Sequence, residues 1–257
     1  MNEFIPSFER QTQILDLLAR QGSLSVADIV DQFSISEATA RRDLETLAGE
    51  GKLQRVHGGA VSLRKAPPEP PMLQRETWQD DEKKRIGRAA ADLIGDGETV
   101  FLGSGTTVLE VARNLKKRKD LTVITNSLPV MTVLSSLPEI TVIALGGLLR
   151  KSELSFIGHI TEQSILDLRA DKVIIGIHAI SLEHGLTNDY LPETMTDRAI
   201  LQMGQKVMIV ADHTKFGSVS MVHVATVEKI HTIVTDTQVP MEFVESLRAK
   251  NVEVIVV

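Results

Sequence analysis

Two groups of residues in this 257-residue chain have the types and spacing to do chemistry. The first is the pair Arg41-Arg42, preceded by Ser36, Ala38 and Thr39 and followed by Lys52, Arg55 and His57. Adjacent guanidiniums can hold a phosphate or a guanine edge, and a good bidentate base contact is worth about 1–3 kcal/mol of discrimination. Small side chains ahead of them let a backbone come close to a DNA groove, and a helix N-terminus with a Ser hydroxyl suits a phosphate. Lys52, Arg55 and His57 are expected on a wing that meets DNA backbone or minor groove. The second group is Gly103-Ser104-Gly105-Thr106-Thr107, between a strand-like run and a helical one. Free N–H groups, hydroxyls and the positive end of a helix dipole would meet there, which is how a fold holds a phosphate. The Gly-Lys-Ser/Thr of a P-loop is missing and the GxGxxG spacing fails; an ordinary tight turn is the competing reading. Thr125-Asn126-Ser127, Gly146-Gly147 and Asp212-His213-Thr214-Lys215 also follow apolar runs, and His178 ends another. In open α/β sheets ligands sit at such carboxyl ends, and Lys215 adds a point charge suited to a phosphate or sugar oxygen. His159, His178, His184 and His213 show no HxxxH or HExxH spacing, so no metal is expected. No residue is assigned a catalytic role and no cofactor is implied.

The elements that must position these residues are legible in outline. Phe8 to Gln21 places Ile14, Leu15 and Leu18 on one helical stripe, with Gly22 as its stop. Ser25 can cap a second helix, with Asp28 in capping-box position. Ser36 caps a third, on which Ala40, Leu44 and Leu47 face inward while Ala38, Arg42 and Glu45 face outward, flanked by Thr39 and Arg41. Gly51 ends it. KLQRVHGGAV then reads as a strand, a Gly-Gly turn and a few strand-like residues. Three helices and a hairpin in this order make a winged helix-turn-helix. Ala66 to Pro71, APPEPP, holds four of the nine prolines and reads as a semi-rigid spacer at a domain boundary. Beyond it a helix over 81–94 precedes short β-branched runs at 99–103, 121–125, 140–147, 172–177, 206–212, 232–236 and 252–257. With helical stretches between most of them, these predict a mainly parallel sheet covered on both faces. The expected division is 1–62 for the DNA-binding module, 63–77 for the linker and 78–257 for a sensing domain.

Composition sets bounds on function. Hydrophobic residues make up 42% and charged residues 24%, which is globular. No apolar run approaches the roughly 20 residues of a membrane span. The N-terminus lacks the basic and apolar regions of a secretory signal. Zero Cys excludes disulfides and Cys nucleophiles, which suits the cytoplasm. A net charge of −6 argues against a general polyanion coat, but not against a small DNA-reading module. Residues 1–65 hold 8 Lys+Arg against 9 Asp+Glu, yet residues 38–65 hold 6 against 3.

The stretch SVADIVDQFSISEATARRDLETLAGEGKLQRVHGGAV closely resembles the N-terminal domain of the DeoR family of bacterial transcriptional regulators. Ser36, Thr39, Arg41, Arg42, Asp43, Leu44, Arg55, Gly58 and Gly59 match that family's pattern. The resemblance continues through Ser104–Thr107, Thr125–Ser127, Gly146-Gly147, Asp212–Gly217 and Thr235-Asp236. It implies a C-terminal domain like ribose-5-phosphate isomerase and the CoA-transferase-like fold, sensing a phosphorylated sugar or related metabolite. By position, Gly105, Thr106 and Thr107 would hold the phosphate, and Asn126 and Lys215 the sugar. The chain departs from the family's pattern at Gly103, at Gly176–Ala179 and at Glu193–Arg198. The expected function is repression of carbohydrate-metabolism genes on a double-stranded operator, by a homodimer or homotetramer. The alternative is a sugar-phosphate isomerase-like enzyme with a DNA-binding appendage, for which Glu193 or Asp212 could supply the carboxylate base. A third reading is a binding protein with no DNA role.

Overall fold

The computed structural model describes residues 5–21, 23–62 and 64–257; the expected helix stop at Gly22 lies outside them. The N-terminal module runs α1 (Ser7–Gln21), β1 (Ser23–Ser25), α2 (Val26–Phe33), α3 (Glu37–Gly49), β2 (Leu53–Val56) and β3 (Gly59–Ser62). The Ser25 hydroxyl accepts the Asp28 N–H at 3.1 Å and the Asp28 carboxylate accepts the Ser25 N–H at 2.9 Å, the reciprocal cap that the spacing predicts. The stripe of Ile14, Leu18, Ala40, Leu44 and Leu47 closes with Leu24, Ile29, Leu53 and Ala60 into one core. Gly51, at φ +67°, follows the end of α3. Two details differ from expectation. β1 joins the hairpin to give an antiparallel sheet of order β1-β3-β2. The hairpin turns at His57-Gly58, with Gly58 at φ +80°, so Gly59 is not a turn residue. It opens β3 under the Leu24 carbonyl, where a Cβ would lie 2.2 Å from that oxygen.

The chain continues through β4 (Arg64–Lys65), α4 (Met72–Arg75) and α5 (Asp80–Asp92) into the α/β body. There follow β5 (Thr99–Leu102), α6 (Thr106–Arg113), β6 (Leu121–Thr125), α7 (Leu128–Leu134) and β7 (Ile140–Ala144). Next come β8 (Leu148–Arg150), β9 (Ser155–Ile157), α8 (His159–Leu166), β10 (Ala170–Ile175), β11 (Ala179–Ser181), β12 (Gly185–Asn188), α9 (Leu191–Met203) and β13 (Gly204–Val210). The chain closes with β14 (Ser218–Val219), β15 (Val222–Ala225), β16 (Thr232–Thr235), α10 (Met241–Ala249) and β17 (Glu253–Val256).

The central sheet has seven strands in the order β17-β16-β13-β10-β5-β6-β7, and every neighbouring pair is parallel. Period-two burial splits its side chains between two cores. Phe101, Val173, Ile175, Ile209 and Ile233 pack with Ile200, Met203, Phe243 and Leu247 of α9 and α10. Val100, Leu102, Val123, Ile174 and Val210 pack with Ile86, Ala90, Val108, Val111 and Leu134 of α5, α6 and α7. The chain winds outward from β5 through β6 to β7, then returns to β10 on the other side of β5. The switch point therefore lies between the carboxyl ends of β5 and β10, where such sheets open a crevice.

The Pro-rich segment is not a free spacer. β4 pairs in parallel with β14, the Ala66 N–H donates to Val219 O at 2.9 Å and the Met72 N–H to Ser152 O at 2.7 Å. Residues 66–70 lie against the body, over the switch point. No helix among the described residues is long and apolar enough to cross a membrane.

Candidate functional site

On α3 the Ser36 hydroxyl caps the helix by accepting the Thr39 N–H at 3.2 Å, and Ala38, Arg41, Arg42 and Glu45 are exposed. Asp43, next to them in sequence, points the other way. It is buried, accepts Arg10 Nε at 2.6 Å and Gln11 Nε2 at 3.0 Å, and so pins α3 to α1. A buried, charge-assisted pair of this kind fixes the helix more firmly than surface contacts can. Arg41 faces Glu37 at 3.4 Å, whereas Arg42 has no carboxylate partner among the described residues. Arg55 reaches back to the Arg41 carbonyl at 3.1 Å and lies 3.8 Å from Glu45. Lys52 pairs with Glu50 at 2.7 Å on the surface. His57 sits exposed at the wing tip, and its backbone N–H donates to Ser246 Oγ of α10 at 2.7 Å. Ser36, Ala38, Thr39, Arg41 and Arg42 thus share one helix, with Arg55 folded against it.

At the switch point a cavity of about 560 Å³ opens, one wall of it the Gly103–Thr107 turn. Gly105, at φ +108°, precedes α6 and supplies no capping side chain. The first N–H groups of a helix have no acceptor within it, so the first turn of α6 presents donors and the positive dipole end to the cavity. Ser104, Gly105, Thr106, Thr107, His178, Asp212 and Lys215 all line it. His178 is 7% exposed. Its Nε2 lies 2.8 Å from the Pro67 carbonyl, which can only accept, so Nε2–H donates. Nδ1 then makes no hydrogen bond and lies 3.6 Å from Asp189 Oδ2.

Three expected residues do not reach the cavity. Asn126 donates to the Phe156 carbonyl at 2.9 Å and shapes the turn after β6. The Gly146 carbonyl accepts the Thr161 hydroxyl at 2.8 Å. At Gly147 a Cβ would fall 2.2 Å from Thr161 Oγ1, so that glycine serves close packing against α8. These turns follow β6 and β7, two and three places along from the switch point, too far out on the sheet.

Other lining residues carry charge that the sequence reading left unassigned: Glu69, Arg75, Lys83, Arg150, Glu153, Asp189 and Asp197, beside Glu193. Arg75 pairs with Glu153 and lies 3.1 Å from Glu69; Lys215 pairs with Glu69; Arg150 pairs with Glu193 and stacks 4.5 Å from the Tyr190 ring centre. Burial pushes the Lys83 ammonium down, against the pull of Asp212. Burial, only partly offset by Arg150, drives Glu193 up to about 7. Asp197, one helical turn on, is raised by burial and by the neighbouring Glu193. The only local hint of this pair was its i, i+4 spacing; the ion pairs join segments far apart in the chain.

A DNA-reading winged helix-turn-helix on a parallel α/β body with an anion-receptive crevice defines a ligand-responsive transcriptional regulator. Residues 10–66 match the DeoR-like helix-turn-helix domain and residues 78–237 match the DeoR C terminal sensor domain. The chain belongs to the DeoR family. It is 37% identical to the transcriptional repressor AccR of Agrobacterium fabrum, over 89% of each chain. It is 34% identical to the glycerol-3-phosphate regulon repressor of Escherichia coli K12, over 95% of this chain and 97% of that one. It is 32% identical to a putative aga operon transcriptional repressor of Escherichia coli O157:H7, over 97% and 93%. A ribose 5-phosphate isomerase of Methanocaldococcus jannaschii superposes on 54% of this chain and 55% of its own at 16% identity, with a TM-score of 0.40, too loose to bear on activity.

Proposed function

We propose that this DeoR-family regulator is a cytoplasmic repressor of carbohydrate-metabolism genes, released from its operator by a phosphorylated sugar bound in the switch-point cavity. The observation that carries this reading is the uncapped α6 N-terminus opening into a cavity that also holds Lys215. Backbone donors, a helix dipole and an ammonium line one cavity, the kinds of group that hold a phosphate. Asp212, which lines the same cavity, offers an acceptor for a sugar hydroxyl. The name of the glycerol-3-phosphate regulon repressor points the same way for that relative. Ser36, Ala38, Thr39, Arg41 and Arg42 would meet the operator, with Lys52, Arg55 and His57 on its flanks. Residues 1–62 and 78–257 would act as two modules, coupled because the ligand binds one arrangement of them better. A two-fold operator calls for at least a dimer.

The test is binding to the upstream DNA of the chain's own gene at one stated salt concentration, with and without a panel of phosphorylated sugars. Release by one phosphate ester is the expected result. Specific binding that no phosphate ester alters would reject the effector class, and absence of specific binding would reject the operator assignment.

One observation favours turnover as a second reading: Glu193, at about 7 beside the cavity, is tuned as a general base would be. Its ion pair with Arg150 opposes that use. Incubating candidate sugar phosphates with the protein in deuterated water should give no exchange at the carbon next to the carbonyl; exchange would establish an enzyme.

A further inference from the structure

Residues 67–77 lie between the two matched domains and belong to neither family model, yet Pro67 to Pro70, with Ala66 just before them, form one wall of the cavity. Three of the four residues 67–70 are prolines, which have no N–H to donate. The backbone here cannot be zipped onto a strand. Its fastenings are the Ala66 N–H on Val219 O at 2.9 Å, two accepting carbonyls, Pro67 on His178 and Pro70 on Arg75 Nε at 2.8 Å, and one side chain. That side chain is Glu69, whose two carboxylate oxygens meet Lys215 and Arg75. Burial opposes its ionisation, but the two cations outweigh burial and hold the carboxyl below its ordinary range. An anionic group is therefore already seated on the cavity's cations.

We propose that Glu69 is a built-in anion that competes with the ligand's phosphate for Lys215 and Arg75. Its displacement by phosphate frees the strap that leads to the wing. This rests on the phosphate-site reading above. Two anions cannot share the same desolvated cations without strong mutual repulsion, and Glu69, on a proline-rich strand of chain, is the one able to swing into water. Once it leaves, residues 66–70 keep only backbone fastenings, and the chain directly before them is β3 and β4. Ligand binding then becomes a change in how the winged module is tethered.

The experiment uses the full chain and inorganic phosphate, followed by fluorescence of Trp78, the one tryptophan of the chain and a lining residue of the cavity. If Glu69 occupies the cations in about nine molecules of ten, E69Q should bind phosphate about tenfold more tightly than the parent chain. Loss of a negative charge beside these cations favours phosphate in any case, so the displacement itself is read from the strap. In the parent chain, saturating phosphate should also speed hydrogen exchange at the Ala66 amide. Should E69Q fail to fold, E69D, which keeps the charge but shortens the reach to Lys215, should shift affinity in the same direction. Phosphate binding by the parent with equal or weaker affinity in the variant overturns the role of Glu69 and leaves the phosphate site standing. A tenfold gain with unchanged exchange at Ala66 overturns the displacement. No phosphate binding by either chain overturns both this proposal and the reading it rests on.

Discussion

Arg41 and Arg42 are neighbours on α3 with unequal freedom. Arg41 shares its charge with Glu37 and lends its carbonyl to Arg55, while Arg42 stands exposed without a carboxylate partner among the described residues. Replacing Arg42 by Ala should cost about 1–3 kcal/mol on the operator and flatten the preference over scrambled DNA; equal loss on both sequences would assign Arg42 to phosphate alone. Glu193 gives a second expectation. Its folded value of about 7 lies above the unfolded value of 4.5, so the folded state keeps a proton that the unfolded chain has lost. Stability therefore falls as pH rises from about 4.5 to about 7 and stays low above that. Thermal melts from pH 5 to 8 should show E193Q gaining on the parent chain as pH rises, and parallel curves would contradict the shift. The residue scale was also the least legible from sequence. Ser104 to Thr107, Asp212 and Lys215 could be found because they are local to strand ends. Glu69 and Lys215 are 146 positions apart, and no short pattern reports such a pair.

Elements were legible in proportion to their length. α3 shows its period in the side chains, and the central strands stand out as β-branched apolar runs between helices, so the helix-turn-helix and the parallel sheet could be read directly. β1, β8, β9 and β11 are three residues each, too short for a period to appear, and they went unseen. The proline-rich run was misjudged for a different reason. Composition reports the stiffness of a free chain, not whether that chain finds a surface. Close packing of α5 on α6 is likewise hidden until the helices are in place. At Gly87 an added Cβ would lie 2.4 Å from Glu110 Cβ and 2.7 Å from the Glu110 carbonyl carbon. Helix propensity alone would favour Ala by about 1 kcal/mol, but overpacking costs about 1–3 kcal/mol, and here the clash includes backbone. Gly87→Ala should lower the denaturant midpoint; a rise would mean the helices separate easily.

At the scale of the whole molecule the two modules share more than a linker. Val56 and Val61 of the wing are buried in the same core as Phe216 and Phe243 of the body, and the wing tip donates a hydrogen bond to Ser246. Calorimetry of the intact chain should therefore show one unfolding transition rather than two, with two well-separated peaks refuting that shared core. The N-terminal helices keep their own core, so what couples them to the body runs through the hairpin and the strap.

The strap also bears on where such a protein can be recombined. A graft that exchanged DNA-reading heads between relatives at position 62 would carry the wing's share of the common core, Val56 and Val61, with the operator choice, but would leave the cavity lining to the body. One that crossed over at position 77 would carry Glu69 and Arg75 with the head, and the hybrid would inherit part of the donor's ligand selectivity along with its operator.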